Sequence, residues 1–557
     1  GDQADVAWWY GHSLGLVEVI DDHGRMLPSA NMPADFPSDV DVIMAGLTVE
    51  EARRKIKGLL AAYGWILTRQ PTTGAVRVHE RCDTPVEFRV THQWFFRVLQ
   101  DKQTFLELGE QIRWHPAHMH ARYKDWVENL NWDWCISRQR YFGVPFPLWY
   151  CNRCGAVLLA DEASLPVDPL AQGPGRACEC GGTDFEPERD IFDTWATSSV
   201  SSEIVTGWLD DPRRFEKLYP MTLRPQAHDI IRTWAFYSIV KAWYHFGALP
   251  WSDVLVSGWG IAGEGMGKIS KSKGGGPAAP MEMIRRYSAD ALRYWAASTS
   301  TGKDAVINEE KIQMGTRLVT KLWNVARFAE PFISGDPILD PSAQVFTPAD
   351  RWILARLDDL TVKVSAAFED YEYASAKSEI EAFFWHDLAD NYLEMAKQRL
   401  YDPQHTAHLG ACITLKQALK TLLKLLAPLL PFVTEALWME LFAQEEKTPS
   451  VHRAVWPDAG QPEQTDLAMG DLLVAVATGV RRYKSENALS LGSELASLTL
   501  SAEGNLARCL QSAGPDLSSV TRAREVVVIE SGKEKVMKPD LVPVIVEGGQ
   551  IQAWILP

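Results

Sequence analysis

Apolar positions follow two different rhythms along the chain. From residue 315 to 441 they recur every three or four positions, which is the spacing of amphipathic helices packed in a bundle. The clearest helical stretches are residues 317–328, 351–368, 374–401 and 414–426. Before residue 315, short apolar runs alternate with helical patterns and with turns rich in glycine and proline, which predicts an α/β region.

The first ninety residues carry the signals of a few short elements. Residues 48–63 predict an amphipathic helix, because Thr48 is a good N-cap and Glu51 completes a capping box with it. Acidic side chains at the start of residues 1–15 favour a helix there as well. Short strands are predicted for residues 17–21, 23–27 and 86–90.

Three strand patterns of the α/β region end in small or polar residues. They cover residues 190–199, the start of 223–236, and 250–258. We expect a binding site at their ends, because ligands of open α/β sheets bind at the carboxyl edge of the strands. Asp229 falls near the start of the helix that follows the second pattern. Ile230 and Trp234 would share one face of that helix, where core packing is the plainer alternative to a pocket.

Length and composition bound the possibilities. A chain of 557 residues predicts three or four domains. Its formal net charge of −16 argues against a generally basic nucleic-acid-binding surface and predicts that any RNA contact is local. No run of 18 apolar residues is present, so the sequence predicts no membrane span.

A lysine-rich loop follows the third strand pattern, at residues 263–276. Its charged and hydroxyl side chains lie between glycines and include Lys268, Ser270, Lys271, Ser272 and Lys273. Glycine lets a backbone approach a ligand closely, and ammonium and hydroxyl groups bind phosphate. The loop is therefore a candidate for binding a nucleotide polyphosphate, and a solvated surface loop is the alternative.

Four of the eight cysteines form two short clusters, Cys151 with Cys154 and Cys178 with Cys180. Four thiolates at this spacing suit a closed, structural zinc site, and a knob of four reduced thiols without metal is the alternative. The few remaining cysteines favour a reducing compartment over a disulfide framework.

Two other sets of residues are weaker candidates for a metal site or a catalytic nucleophile. The histidines at 115, 118 and 120 are close in sequence, but no acidic or cysteine partner lies near them, which disfavours a metal site. Cys135 is a conceivable nucleophile. It lies in an apolar, tryptophan-rich run without an evident base, so a buried structural thiol is the better interpretation.

Several stretches resemble one family, the class I aminoacyl-tRNA synthetases. Residues 268–272, KISKS, resemble its KMSKS signature, with Ile269 in place of methionine. Residues 133–139, DWCISRQ, and the proline-rich run after them resemble the valyl, isoleucyl and leucyl subgroup, although Phe142 stands where tryptophan is usual.

Two further stretches are similar to the valyl members of that subgroup. They are DTWATSS at residues 193–199 and RPQAHDIIRTWAFY at residues 224–237. The helical stretches, including DNYLE at residues 390–394, resemble the anticodon-binding bundle of the family. The resemblance thus extends over essentially the whole chain.

The resemblance implies roles for individual residues. Lys268 and Lys271 would neutralise the pyrophosphate that leaves ATP, and the catalytic loop would also use Ser270 and Ser272. The implied ATP-binding residues are Gly258, His228, Asp229, Lys268 and Lys271. The implied amino-acid-binding residues are Asp193, Trp195, Asp229, Ile230 and Trp234, of which the two tryptophans and the isoleucine would wall the valine side chain.

Such a pocket excludes larger side chains but rejects threonine poorly, a limitation for which valyl enzymes are themselves the known example. An editing site is therefore implied. Residues 1–15 resemble the late part of the family's editing domain, with Asp2 and Asp5 at two aspartate positions that hold the α-ammonium of misacylated threonine. Gly1 stands where the family has histidine. The family's second signature, His-x-Gly-His, is absent from the sequence, which predicts a C-terminal portion that is inactive alone.

The predicted fold class is multidomain. The domains are the end of an editing domain (1–90), the second half of a Rossmann-like α/β catalytic domain (91–315) with a zinc knob at about 149–188, an all-α anticodon-binding bundle (316–460) and a small α+β segment (461–557). The implied function is ligation of valine to tRNA(Val), with ATP and Mg²⁺ as substrate, a structural Zn²⁺, and editing of threonine. A monomer in the cytoplasm is expected. The alternatives are a non-catalytic tRNA-binding protein derived from a synthetase, and an isoleucine–tRNA ligase.

Overall fold

The structure is a computed structural model, and it describes residues 3–28, 43–71, 73–74, 76–79, 82–262, 280–334, 345–532 and 540–557. The chain divides into two units, each made of two segments. One unit is Gly1–Asp101 with Leu130–Ser198, and the other is Lys102–Asn129 with Ser199–Pro557. The domain boundaries expected from the sequence stay predictions.

The strands are mostly short. In chain order they are β1 (Phe95–Phe96), β2 (Arg113–His115), β3 (Trp134–Cys135), β4 (Ser137–Arg138), β5 (Leu148–Cys151), β6 (Val157–Leu159), β7 (Phe185–Pro187), β8 (Ile191–Phe192), β9 (Met221–Ala227), β10 (Trp251–Ser257), β11 (Gly260–Ile261), β12 (Ala305–Val306), β13 (Leu495–Ala502), β14 (Ala523–Glu530), β15 (Val542–Val544) and β16 (Gln552–Leu556).

The helices account for most of the second half of the chain. In chain order they are α1 (Gln3–His12), α2 (Val49–Ala62), α3 (Lys102–Gln111), α4 (His120–Glu128), α5 (Thr194–Ser198), α6 (Ser201–Thr206), α7 (Pro212–Leu218), α8 (Phe236–Phe246), α9 (Pro280–Tyr287), α10 (Ala289–Ala296), α11 (Glu309–Ile333), α12 (Pro348–Glu369), α13 (Tyr373–Ala382), α14 (Leu393–Tyr401), α15 (His408–Leu426), α16 (Pro431–Leu441), α17 (Gln464–Glu486), α18 (Gly504–Ser512) and α19 (Gly514–Thr521).

The first unit is built from small antiparallel pairings. β1 pairs with β3, β4 pairs with β8, and β5 lies between β6 and β7. The predicted capping box of α2 is confirmed, since Thr48 accepts from the Glu51 amide while the Glu51 carboxylate accepts from the Thr48 amide. Helix α1 confirms the helix expected near residue 3.

Three strand predictions in this unit were wrong. Residues 17–21 and 23–27 form only isolated bridges, Ile20 with Met26 and Arg25 with Thr48, and residues 86–90 are not a strand. Val86, Phe88 and Val90 remain 41–50% exposed, so the alternation of apolar residues buries no face that would hold a strand in place. Residues 190–199 contribute only the two-residue β8, which is antiparallel to β4 and not part of a parallel sheet.

The second unit contains a parallel sheet in the order β2–β10–β9. Helix α8 buries Phe236, Ile239 and Val240 completely. Helices α3 and α4 approach so closely that a Cβ at Gly109 would lie 2.2 Å from the Tyr123 ring, which explains glycine at that position. Within the described residues, β9 pairs with β10 on one side and with no strand on the other.

The predicted helical stretches after residue 315 are confirmed by α11 to α16. The stretch predicted as one helix over residues 374–401 is α13 and α14 joined by a π-helical segment, Phe383–Tyr392. One apolar core extends from Tyr294 of α10 through the bundle to Ile555 of β16. No helix of the described segments combines the length and the apolar character needed to cross a membrane.

A fully buried ion cluster ties α12, α14 and α19 together. Arg399 donates from Nη1 and Nη2 to Asp350, both at 2.9 Å, and from Nε to Asp516 at 2.6 Å. The Tyr392 hydroxyl donates to Asp350 at 2.8 Å. Both carboxylates and the guanidinium are fully enclosed, so one cation faces two acidic side chains inside the core. Burial, with the nearby Asp350 adding to it, raises the pKa of Asp516 to about 6.

The C-terminal residues form a mixed sheet in the order β14–β13–β16–β15. Strand β13 is parallel to β14 and antiparallel to β16. Lys484, at the end of α17 and 1% exposed, donates to the carbonyl oxygens of Leu491, Ser493 and Thr521. The three acceptors satisfy all three ammonium protons and thereby fix the connection from α17 to the sheet.

Candidate active site and cysteine cluster

Two neighbouring parallel strands, β9 and β10, end at the same edge of the sheet. Their last paired residues are Ala227 and Ser257. The residues that follow directly are His228 and Asp229 on one strand and Gly258 on the other, so the structure brings these three predicted ATP-binding residues to one edge. Ligands of open α/β sheets bind at such an edge.

Gly258 has a steric reason to be glycine. A Cβ at this position would lie 2.3 Å from the carbonyl oxygen of Lys303, so any larger residue would have to displace that backbone. The next residue, Trp259, donates its amide to Asp304 Oδ1 at 2.7 Å. The end of β10 is therefore fastened to residues 303–304.

His228 is enclosed by groups of three kinds. Its ring centroid lies 4.6 Å from that of Trp259, its Nε2 lies 3.7 Å from Asp304 Oδ1, and its Nδ1 lies 3.3 Å from Arg122 Nη1. Arg122 and Asp304 were missed by sequence reasoning. Neither belongs to a recognisable motif, and both meet His228 only through the fold.

The backbone after β9 is not the regular α-helix that the sequence predicts. His228–Ile230 is a 3₁₀ turn and Ile231–Ala235 is π-helical, before α8 begins at Phe236. Ile230 and Trp234 are both half-buried. The expectation that they share one face assumed α-helical geometry, so their common pocket stays a prediction.

Arg224 was also missed and lies against a predicted pocket residue. Its guanidinium carbon is 3.3 Å from the centroid of the Trp234 ring, and the side chain is 6% exposed. Among the residues that the structure describes, its Nε and Nη2 have no hydrogen-bond partner. Burial lowers the pKa of Arg224 to about 10, and the negative charge of Glu203 only partly offsets this. The cation therefore relies on the indole face for much of its stabilisation.

Asp193 and Trp195 are described within the first unit. Asp193 is buried, and Arg138 Nη2 lies 3.3 Å from its Oδ1. Its carbonyl accepts from Ala196 and Thr197, which begins α5, and Trp195 in that helix is half-buried. Asp229, Ile230 and Trp234 belong to the second unit. The pocket that all five residues would form together stays a prediction.

Several predicted residues lie outside the described part of the chain. They are the loop residues Lys268, Ser270, Lys271 and Ser272, and Asp2 of the expected editing site. Asp5 is described, in α1, and is exposed. The residues that lead into the loop are ordered by β11, which pairs in parallel with β12.

The four clustered cysteines converge in the knob formed by β5, β6 and β7. Their Sγ atoms all lie within 4.8 Å of one another, with Cys151–Cys180 and Cys154–Cys178 both at 3.6 Å. A disulfide would need about 2.0 Å. A tetrahedral zinc ion with bonds of about 2.3 Å separates its sulfurs by about 3.8 Å, so the donor set fits that metal.

The backbone around Cys151 favours its thiolate. Burial opposes ionisation, but amide hydrogen bonds from Arg153 and Cys154 outweigh it and lower the pKa of Cys151 to about 7. Among the described residues, these cysteines are the one group of three or more potential ligands close enough to hold a metal. The histidines at 115, 118 and 120 do not form such a group.

His115 instead belongs to an ion cluster on β2 and β10. Asp253, 1% exposed, lies 2.9 Å from His115 Nε2 and accepts from Arg113 Nε at 2.8 Å and from Ser252 Oγ at 2.7 Å. Burial alone would raise the pKa of Asp253. The hydrogen bonds from Arg113, Ser252 and His115 outweigh it and hold the pKa well below its usual range.

Replacing Asp253 by asparagine is expected to destabilise β10 by about 2–3 kcal/mol at pH 7, because charge-assisted hydrogen bonds are lost. Because folding lowers the pKa of Asp253, its ionised form stabilises the folded state fully above the unfolded-state pKa of about 3.9. This stability is lost progressively as the pH falls below that value toward the folded-state pKa. The difference between Asp253→Asn and the parent should therefore shrink below about pH 4. Hydrogen exchange of β10 during urea titration measures it, with exposed Asp210→Asn as the control. A constant difference from pH 7 to pH 3 would contradict the ionised pairing.

The matching family models and relatives agree on one family for this chain. Residues 17–308 match the family described as tRNA synthetases class I (I, L, M and V), and residues 350–500 match the anticodon-binding domain of tRNA ligase. The chain is 41% identical to a valine–tRNA ligase of Methanopyrus kandleri, over 98% of the chain and 58% of that protein. It is 40% identical to one of Anaplasma marginale, over 88% of the chain and 59% of that protein.

A solved structure supports the fold. The Mycobacterium tuberculosis methionyl-tRNA synthetase in complex with methionyl-adenylate aligns with a TM-score of 0.50 and 18% identity, over 70% of this chain and 72% of that one. The chain spans about three-fifths of the length of the valine–tRNA ligases it matches. Since the class I model covers more than half of its residues, the chain belongs to the class I tRNA synthetases of the isoleucine, leucine, methionine and valine group.

Proposed function

We propose that the chain serves in a valine–tRNA ligase, which activates valine with ATP and transfers it to tRNA(Val). The observation that supports the proposal is the shared end of β9 and β10. His228 and Asp229 directly follow one of these strands, and Gly258, with the lysine loop after it in sequence, follows the other. Relatives of about 40% identity that are valine–tRNA ligases support valine over the other amino acids of the group.

The proposed chemistry is nucleophilic substitution at phosphorus. Class I synthetases use ATP with Mg²⁺. A valine carboxylate oxygen would bond to the α-phosphorus of ATP while the bond from that phosphorus to the bridging oxygen breaks and pyrophosphate leaves. Lys268 and Lys271 would stabilise the charge on the leaving group, with Ser270 and Ser272 donating to it. Asp229 at the sheet edge would hold an ammonium or ribose hydroxyl, so positioning contributes as well.

Selectivity would depend on the amino-acid-binding residues. Trp195, Ile230 and Trp234 would form the wall against larger side chains, and Asp193 would position the substrate with Asp229. Asp2 and Asp5 would bind the ammonium of misacylated threonine. The monomeric state and the cytoplasmic location implied by the resemblance belong to the same proposal.

A structural zinc ion is a further part of the proposal. Cys151, Cys154, Cys178 and Cys180 would hold it, and sulfur–sulfur distances of 3.6 Å support that choice. Four thiolates leave no open position, so the metal would order the knob and take no part in the reaction.

The test is amino-acid-dependent ATP–pyrophosphate exchange by the protein made from the complete reading frame that encodes this chain. We expect exchange with valine and far less with isoleucine. Lys271→Ala should slow it by about 10²-fold or more, since one charge-stabilising donor is lost. Exposed Lys217→Ala on α7 is the control. The 557-residue chain alone should show no exchange, because its sequence lacks the His-x-Gly-His signature.

Each other outcome selects an alternative. Exchange that depends on isoleucine would identify an isoleucine–tRNA ligase. Retention of tRNA on a filter without any amino-acid-dependent exchange would favour the non-catalytic tRNA-binding protein. Exchange by the isolated chain at rates near those of the longer protein would contradict the expectation that activity requires the His-x-Gly-His signature.

A further inference from the structure

Arg224 is a buried cation that packing alone does not explain. It lies on β9 and is 6% exposed, and within the described part of the chain neither its Nε nor its Nη2 has a hydrogen-bond partner. Taking such a charge out of water is unfavourable, whereas an uncharged side chain of similar length would fill the same volume without that penalty. An arginine at this position therefore calls for a role other than filling the core.

The guanidinium of Arg224 lies against one aromatic ring in particular. Its carbon Cζ is 3.3 Å from the centroid of the Trp234 ring and 5.2 Å from that of the Trp251 ring. Trp251, on β10, is fully buried. A cation within about 6 Å of an indole face is attracted by the ring, and the attraction is largest where water is excluded. The contact between Arg224 and Trp234 is of this strong, desolvated kind.

Trp234 is placed where such a contact has an effect. It belongs to the π-helical segment Ile231–Ala235, and π-helical turns are rare and occur frequently at functional sites. The indole is half-buried, so part of the ring stays accessible to a ligand. A half-buried side chain keeps rotamer freedom that specific contacts must remove. The guanidinium supplies one such contact and leaves the accessible part of the ring uncovered.

We infer that Arg224 is a positioning residue of the amino-acid pocket, which holds the Trp234 indole in the place that admits valine and excludes isoleucine. The inference rests on the proposed function, which makes Trp234 a wall of that pocket. Isoleucine exceeds valine by one methylene, and a hydrophobic pocket derives only about 10–200-fold of discrimination from one methylene. Discrimination by so small a difference in size requires a wall that does not shift, so a residue that fixes the wall also sets the selectivity.

The experiment compares Arg224→Met with the parent in ATP–pyrophosphate exchange, with both proteins made from the complete reading frame that encodes this chain. Methionine keeps most of the length and removes the charge. We expect the KM for valine to rise about tenfold and the ratio of kcat/KM for valine over isoleucine to fall about tenfold, while the KM for ATP changes by less than about twofold. Arg224→Lys keeps a cation over the ring and should lie closer to the parent than Arg224→Met does. Equal effects of the two variants would overturn the role of the charge.

A double-mutant cycle measures whether Arg224 acts through Trp234. In a Trp234→Leu background the wall is already lost, so Arg224→Met should change the ratio for valine over isoleucine by less than about twofold. The same tenfold fall in that background as in the parent would overturn the inference, because Arg224 would then act independently of the indole.

Hydrogen exchange separates positioning from folding. Peptides of β9 and β10 should keep their protection in Arg224→Met, because replacing a buried charge by an apolar side chain of similar volume is often neutral for stability. Loss of that protection together with an equal loss of activity toward both amino acids would overturn the inference, since the arginine would then be structural. Arg213→Met is the matched control. It removes one arginine from the exposed surface of α7 and should behave like the parent in both measurements.

The exchange assay also keeps this inference apart from the proposed function. Valine-dependent exchange by the parent, with unchanged selectivity and valine KM in Arg224→Met, would overturn the role of Arg224 and leave the proposed function intact. A parent without valine-dependent exchange would overturn the proposed function, and this inference with it.

Discussion

Arg399→Met is expected to destabilise the helical bundle by about 3–5 kcal/mol, because it leaves two buried carboxylates without their countercharge. Asp350 and Asp516 both depend on this guanidinium, and all three side chains are fully enclosed. The loss should concentrate where the cluster joins elements, in α12, α14 and α19. Since a chain of this size has no single unfolding transition, hydrogen exchange of peptides from those helices is the appropriate measurement.

Lys397→Met provides the comparison on the same helix. Lys397 pairs with Glu394 at 3.0 Å, but both side chains are about one-third exposed, so its loss should cost about 1 kcal/mol or less. A further variant with Arg399→Met, Asp350→Leu and Asp516→Leu should recover part of the stability, because it removes the charges as well as their partner. If Arg399→Met were no worse than Lys397→Met, the cluster would contribute nothing beyond packing.

Cys178→Ser is expected to abolish zinc binding by the knob and to unfold it locally. Removing one of the four thiolates opens the closed site. The loss of zinc affinity should therefore exceed the loss of about 10–100-fold that follows removal of a residue that only hydrogen-bonds to a metal ligand. Because metal binding and folding of a small domain are coupled, β5, β6 and β7 should lose exchange protection together. Zinc content per chain, measured by mass spectrometry of the metal, should fall from about one to near zero.

Cys135→Ser is the matched control for that experiment. Cys135 lies in the same unit, is half-buried, and contacts Gln93 Oε1 at 3.5 Å, away from the four-cysteine group. It should keep its zinc and its protection. A parent chain that contains no zinc after purification in zinc-containing buffer, and whose knob stays protected in chelator, would contradict the metal site and support four reduced thiols.

The sequence predicted those elements whose signals are local. The capping box at Thr48 and the spacing of apolar residues in the bundle depend on neighbours within one or two turns, and both predictions were confirmed. The strand predictions at residues 17–27 and 86–90 failed, since a strand needs a partner that its own residues do not specify. The start of residues 190–199 does form a strand, Ile191–Phe192, but its place at the edge of the parallel sheet was wrong, because its antiparallel pairing with Ser137–Arg138 is a tertiary choice.

The residues of the candidate site likewise fall into two groups, those that local sequence signals predict and those that only the fold brings together. Gly258, His228 and Asp229 follow strand ends, and strand ends can be recognised from sequence. Arg122 and Asp304, which enclose His228, lie 106 and 76 positions away from it, and no local pattern points to them. Sequence reasoning missed Arg224 for a different reason. A basic residue within a strand suggests an exposed position, and only the structure shows its cation against Trp234.

The order of strands in the C-terminal sheet restricts how it can be assembled during synthesis. β15 leaves the ribosome before β16, yet its partner in the sheet is β16, which also pairs with β13. Strands β13 and β14 can pair as soon as both have emerged. β15 must wait with its backbone groups unpaired until the following strand arrives, which makes that interval the point at which this sheet is most open to mispairing and to capture by chaperones.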